Sequence, residues 1–381
     1  MNILLVYPKF GEAFWTFNTV LKYVSKKSIL PPLGLLTIAS MLPKEWNKKL
    51  VDTNVAILTD EHIKWADIVF ISAQIAQISY AKEIVKMCKS HGKRVVGGGP
   101  AFTTLYDQFE EVDHFVQNEG EVTLDMFIKD LNEGNLKRFY SSPIRPDVTK
   151  TQIPMWSLIN FKDYMTMPLQ YSRGCPFTCE FCDIIIMNGR VPRTKTPEQF
   201  TAELQSLYDA GWRGQIFVID DNFIGNKTNA KKMLPSLIAW QKERNYPFRL
   251  LTEASVNLAD DKELLQLMKE ANFFKVFVGI ETPNVESLKE TTKFQNLSRS
   301  LTESIRTIQQ AGFEVMGGFI VGFDNDTEEI FDTQIKFIQE IGVLKATVSL
   351  LNALPETRLW HRLKAEGRLL DRSTGDFSDV H

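Results

Sequence analysis

The chain opens on an almost unbroken apolar run, Asn2–Tyr7, closed by Pro8. A run that short is too brief for a helix and suits a strand buried on both faces. Comparable runs return at Asp67–Ser72, Arg94–Gly97 and His114–Gln117, with a shorter one at Lys49–Asp52. Between them the period becomes that of an amphipathic helix, at Leu35–Leu42, from Tyr80 to His91, and after Asn118-Glu119-Gly120-Glu121 as far as Leu131. Strands alternating with helices predict an α/β domain with a parallel, doubly wound sheet over residues 1–133. Residues 134–165 are polar, carry Pro143, Pro146 and Pro154, lack sustained periodicity and read as a linker.

From 166 to 360 a strand–helix unit repeats six times, with strands expected at Leu169–Ser172, Gln215–Asp220, Arg249–Ala254, Lys275–Glu281, Glu314–Val321 and Thr347–Leu351. Helices such as Pro197–Ala210 and Asn229–Arg244 lie between. Polar residues gather just past the apolar strands: Asp220-Asp221-Asn222, Glu253 with Ser255, Glu281 with Thr282, and Asn352. Folding alone does not demand that placement. Ligands of parallel sheets bind at the carboxyl ends of the strands. In the first half, Ser72, Gly97-Gly98-Gly99-Pro100 and Gly120-Glu121 occupy such ends, where glycine lets backbone approach a ligand. No G-x-G-x-x-G follows the first strand, which excludes a dinucleotide fingerprint.

With 381 residues, the chain is long enough for two cores, and its net charge of −3 argues against a nucleic-acid partner. No apolar run reaches membrane-spanning length, and a strand beginning at Asn2 leaves no room for a signal peptide. The aromatic stretch Ala13-Phe-Trp-Thr-Phe-Asn-Thr-Val20 reads first as core or cofactor wall and second as a patch for peripheral membrane contact. Three of the four cysteines fall within eight residues, which fits a reducing cytoplasm better than a disulfide scaffold. They are Cys175, Cys179 and Cys182, spaced C-x3-C-x2-C. Zinc sites close with four protein ligands or three plus water, yet no histidine lies between His114 and His361. A [4Fe–4S] cluster usually takes four cysteines, so three leave one iron open.

That spacing, with Phe181 before the last cysteine, resembles the signature of radical SAM enzymes. The resemblance implies a partial (β/α)6 barrel and a [4Fe–4S] cluster on Cys175, Cys179 and Cys182 whose free iron chelates S-adenosylmethionine (SAM). Reductive cleavage of SAM then gives a 5′-deoxyadenosyl radical, with the electron supplied by a donor such as flavodoxin or ferredoxin. Phe181 would lie against adenine, or simply pack the loop. Asp220 and Asp221 stand where the family commonly has the Gly-Gly-Glu motif that receives the SAM ammonium; the alternative is that they and Asn222 cap the following helix. Ser255 and Glu281 would bind the ribose or methionine part, or form rim salt bridges. Gly317-Gly318-Phe319-Ile320-Val321-Gly322 resembles the element whose backbone, at Ile320, runs along adenine, though glycine in a strand also marks close packing. Cys88 reads as inert core.

The first half resembles the cobalamin-binding domain found before many radical SAM barrels, through Pro31-Pro32-Leu33-Gly34-Leu35, Gly97–Pro100 and Gly120-Glu121. By that resemblance Ser72, Gly98, Gly99, Gly120 and Glu121 would contact the corrinoid. The D-x-H-x-x-G that brings a histidine to cobalt is missing: the loop Lys9-Phe10-Gly11-Glu12 has no histidine, and His62 reads as a surface helix residue. The alternative is a flavodoxin-like domain without corrinoid. Taken with Val218–Asn226 and Leu351–Thr357, the chain resembles the hopanoid C-2 methylase branch and its relatives of unknown substrate. That branch implies methyl transfer to an unactivated carbon of a small-molecule or lipid substrate, with methylcobalamin delivering the methyl group. A cyclase or rearranging enzyme without net methyl transfer is the enzymatic alternative, and a corrinoid or redox sensor the non-enzymatic one. Residues 361–381 are expected to begin a C-terminal extension.

Overall fold

The computed structural model describes residues 1–11 and 16–370, so residues 13–15 of the aromatic stretch and the end of the expected extension lie outside the described residues. The chain divides into two compact units, Met1–Met167 with Asp209–Trp212, and Pro168–Tyr208 with Arg213–Leu369.

The first unit contains β1 (Asn2–Tyr7), β2 (Asn47–Asp52), β3 (Ile68–Ser72), β4 (Arg94–Gly98), β5 (His114–Val116) and β6 (Phe139–Tyr140). They pair in parallel in the order β2-β1-β3-β4-β5-β6. Alternation within β1 explains its unbroken apolarity. Leu4 and Val6 enter a core with Ile63, Ile84 and Phe102, while Ile3 and Leu5 enter a second core with Leu35, Leu124 and Phe127. A sheet with a core on each face is the doubly wound arrangement. Full burial of each such side chain contributes roughly 1.5–3 kcal/mol. β6 was not anticipated, because two residues are too few to show a period. The rest of the connector packs on the same unit: the Tyr164 hydroxyl donates to buried Asp52 at 3.0 Å, and Met165 N–H donates to Ser28 O at 3.0 Å.

The second unit is built on β7 (Thr166–Leu169), β8 (Ser172–Arg173), β9 (Arg193–Thr194), β10 (Gln215–Val218), β11 (Arg249–Ala254), β12 (Phe273–Glu281), β13 (Glu314–Val321) and β14 (Lys345–Leu350). Six of these form one sheet in the order β14-β13-β12-β11-β10-β7, as in a partial (β/α)6 barrel, and β8 pairs with β9 antiparallel. Helices Pro197–Asp209, Lys227–Glu243, Lys262–Glu270, Leu301–Gln310 and Ile330–Ile341 make the crossovers. The strand expected at Leu169–Ser172 is two pieces. Asp220 accepts the N–H groups of Tyr171 and Ser172 at 2.7 and 2.9 Å, which takes those amides out of the ladder. No helix among the described residues is long and apolar enough to cross a membrane.

Candidate cofactor site

The cysteine loop leaves β8 through Gly174, whose φ is +100°. A Cβ there would meet Gly189 O at 2.9 Å and Val191 O at 3.0 Å, so only glycine fits. The loop is then held from three sides. Cys175 N–H donates to Gly189 O at 3.2 Å, and Gly174 N–H donates to Asp221 Oδ2 at 2.7 Å. Glu180 N–H donates to Thr291 O at 2.9 Å, and the Thr292 hydroxyl donates to Thr178 O at 2.6 Å. Arg362 binds the Glu180 carboxylate bidentately at 2.8 and 3.2 Å, and Leu359 N–H donates to Glu180 O at 3.0 Å.

Cys175, Cys179 and Cys182 are all reduced. Burial pushes the Cys175 thiol up and the Cys182 thiol up to about 12. Such thiols are poor free nucleophiles and surrender the proton to a metal centre instead. Their sulfurs lie close enough to influence one another, and Gln295 donates its side-chain N–H to Cys179 Sγ at 3.5 Å. Three reduced sulfurs on one pinned loop fit an iron–sulfur cluster. Among the described residues, no three His, Cys, Asp or Glu converge on the position of a single metal ion.

The two adjacent aspartates are already committed to protein donors. Asp220 receives Tyr171 N–H, Ser172 N–H and the Ser172 hydroxyl (2.6 Å); burial still pushes its carboxyl up to about 7. Asp221 receives Gly174 N–H and, at 2.9 and 3.2 Å, the Asn188 amide. Neither caps the following helix, whose cap is Asn226. Asn222 exchanges hydrogen bonds with Ser255, donating to its hydroxyl at 3.0 Å and accepting its N–H at 3.2 Å, and sits 4.0 Å from Cys175 Sγ. Ser255 in turn donates to Asn257 at 2.6 Å.

Glu253 is different. It lies on β11 opposite Phe277 of β12, on the strand face it shares with Leu251 and Ser255, and its carboxylate accepts no hydrogen bond from the described residues. Burial, reinforced by the charges of Asp221 and Asp220, pushes it up to about 7. Its place at a strand end gives Glu253 no role by itself. Its neighbours' commitments, which single it out, are visible only in three dimensions.

Glu281 ends β12 with φ +67°, an uncommon conformation for a non-glycine residue. It is buried and ion-paired with buried Lys293. Against the desolvation that pulls it down, Glu281, Cys179 and Cys182 hold the Lys293 ammonium above its ordinary range. Gly279 makes room for the pair, since a Cβ there would lie 2.6 Å from Glu281 Oε1 and 3.0 Å from Lys293 Nζ. Lys293 Nζ is also 5.9 Å from the centre of the half-buried Phe181 ring. On β13, Gly317 and Gly318 leave space for the rings of Phe319 and Phe277, and Ile320 follows, half-buried.

In the first unit, Gly99 has φ +85° and lies against Ser72, whose Oγ would be 2.6 Å from an added Cβ. Gly98 faces Val116 O and Gly120 faces Ile38, while Glu121 accepts the Thr151 hydroxyl at 2.9 Å. These glycines therefore already serve contacts within the protein. An added Cβ at Gly11 or Gly34 would meet nothing within 4 Å among the described residues. His62 belongs to the cap of helix Asp60–Trp65 and receives Thr59 N–H at Nδ1, 3.2 Å. Cys88 is fully buried, and its thiol is pushed up to about 12 by that burial.

Residues 169–338 match the radical SAM superfamily, and residues 23–128 match the B12 binding domain. The chain is 48% identical over its whole length to an uncharacterised methyltransferase of Synechocystis sp., covering 71% of that protein. It is 38% identical, over 97% of its length and 71% of the relative's, to the hopanoid C-2 methylase of Rhodopseudomonas palustris. The radical SAM methyltransferase TsrM from Kitasatospora setae has the same fold, with a TM-score of 0.76 at 17% identity, over 96% of this chain and 76% of that one.

Proposed function

Because the chain belongs to the radical SAM superfamily, among the enzymes that also carry a B12-binding domain, we propose that it is a methyltransferase acting on an unactivated carbon. The observation that carries this reading is a reduced three-cysteine loop, held by Asp221 and, through Glu180, by Arg362, in a chain that also holds a B12-binding domain. When bound, the cluster, SAM and corrinoid supply an electron-transfer centre, a hydrogen-abstracting radical and a methyl group.

The protein's share is to hold and orient. Cys175, Cys179 and Cys182 would ligate the cluster, and Asp220 and Asp221 would fix the loop that presents them. Glu253 would offer the uncommitted carboxylate that an ammonium group needs. Ser255 and Glu281 would meet the remaining polar groups of SAM, with Phe181 and Ile320 along its adenine. Ser72, Gly98, Gly99, Gly120 and Glu121 would line the corrinoid side of the first unit. We assign a lipid or isoprenoid as the substrate class, on the 38% identity to a hopanoid methylase. A flavodoxin or ferredoxin would be the electron donor and the cytoplasm the compartment. The test is anaerobic reconstitution with iron, sulfide, cobalamin and SAM, followed by product analysis with candidate isoprenoids. A product heavier by one methyl group is expected; an isomeric or cyclised product would replace methyl transfer with rearrangement.

A further inference from the structure

We propose that Gln295 sets the reduction potential of the cluster by donating its amide N–H to the sulfur of Cys179. This rests on the reading that Cys179 is a cluster ligand. The Gln295 side chain is buried, its Nε2 lies 3.5 Å from Cys179 Sγ, and its Oε1 has no hydrogen-bond partner among the described residues. A leucine of similar size would fill the same space without leaving a buried oxygen unpaired, so packing does not account for an amide here.

The amide is also firmly aimed. Thr291 O and the Thr292 hydroxyl bond Glu180 N–H and Thr178 O of the cysteine loop, fixing the segment just before Gln295. Asn296, the next residue, donates to Gly279 O at 3.2 Å and Ile280 O at 2.9 Å, fixing the segment just after it to β12. A short stretch anchored on both sides thus holds one N–H against one cysteine sulfur. A thiolate in a cluster can only accept, which matches a donor and not the amide oxygen. Reduction adds negative charge that spreads onto the sulfurs, and a hydrogen bond to sulfur stabilises that charge. The N–H therefore favours the reduced cluster and raises its midpoint potential.

The experiment is a redox titration of the reconstituted full chain without SAM, followed by electron paramagnetic resonance, for wild type, Gln295→Leu and Gln295→Glu. Iron content is measured on each sample. Both variants are expected to carry the wild-type iron content and a lower midpoint potential, with Glu lower than Leu because it adds negative charge. Unshifted potentials in iron-loaded variants would overturn the proposal, and so would failure of both variants to load iron, which would make Gln295 an assembly residue. A wild-type chain that takes up no cluster would instead overturn the cysteine assignment itself.

Discussion

Replacing Asp221 with Ala separates a loop-holding carboxylate from a cofactor-binding one. In this structure the carboxylate accepts Gly174 N–H at 2.7 Å and the Asn188 amide at 2.9 and 3.2 Å. Alanine leaves both donors without an acceptor in a largely buried place. Each orphaned donor costs about 1–3 kcal/mol, so the loop should loosen by about 2–4 kcal/mol once some relaxation is allowed. That is a large share of the roughly 5–15 kcal/mol that holds a domain together. If the loss is local, exchange of the Gly174 amide should accelerate roughly 30- to 1000-fold, since about 1.4 kcal/mol is a factor of ten. Hydrogen exchange of the apo protein reads this directly, and iron uptake of the reconstituted protein should fall with it. Asp221→Asn keeps one acceptor oxygen and should show about half the effect. Unchanged Gly174 exchange and full iron content, together with SAM affinity weakened about ten- to a hundredfold (the loss of one charge-assisted bond), would refute this reasoning. The carboxylate would then be facing the ammonium.

Three further outcomes are expected. Glu253→Gln should stabilise the apo protein at pH 8 by up to about 3 kcal/mol and leave it unchanged near pH 4.5, as read by denaturant unfolding. The sign follows because a carboxyl raised from 4.5 to about 7 binds its proton more tightly when folded, so stability is lost as pH rises through that window. His62→Ala should cost about 1 kcal/mol through its helix cap and leave the visible spectrum of bound corrinoid unchanged, because His62 is engaged with Thr59; a changed spectrum would make it a cobalt ligand. Cys88→Ala should lower stability by about 1 kcal/mol through a small cavity and leave iron content at the wild-type value, since the residue lies in the first unit's core.

The fold was legible where burial leaves a plain mark. β1 and β3 are apolar almost throughout because both their faces are covered, and β11 and β13 begin and end where their patterns do. The break between β7 and β8 was not legible, because it is caused by Asp220, some fifty residues downstream, taking two backbone amides. The same limit applies to the site. The cysteine spacing and the polar strand ends were readable as local patterns. That Asp221 is occupied while Glu253 is free is a fact about partners, not about residue type. The contact of Gln295 with Cys179 joins residues 116 positions apart and leaves no local trace. The packing of Gly98, Gly99 and Gly120 against Val116, Ser72 and Ile38 likewise joins separate elements and leaves no mark in the local pattern.

The most direct measurement is a single anaerobic reaction of the reconstituted chain with cobalamin, reductant and SAM deuterated in its methyl group, analysed for iron, 5′-deoxyadenosine and label on the corrinoid. The account requires roughly four irons per chain, 5′-deoxyadenosine, and deuterated methyl on cobalamin, all lost when Cys175, Cys179 and Cys182 are changed to Ala. Retention of iron and 5′-deoxyadenosine by that triple variant, or an iron-loaded wild type that forms neither product, would contradict it.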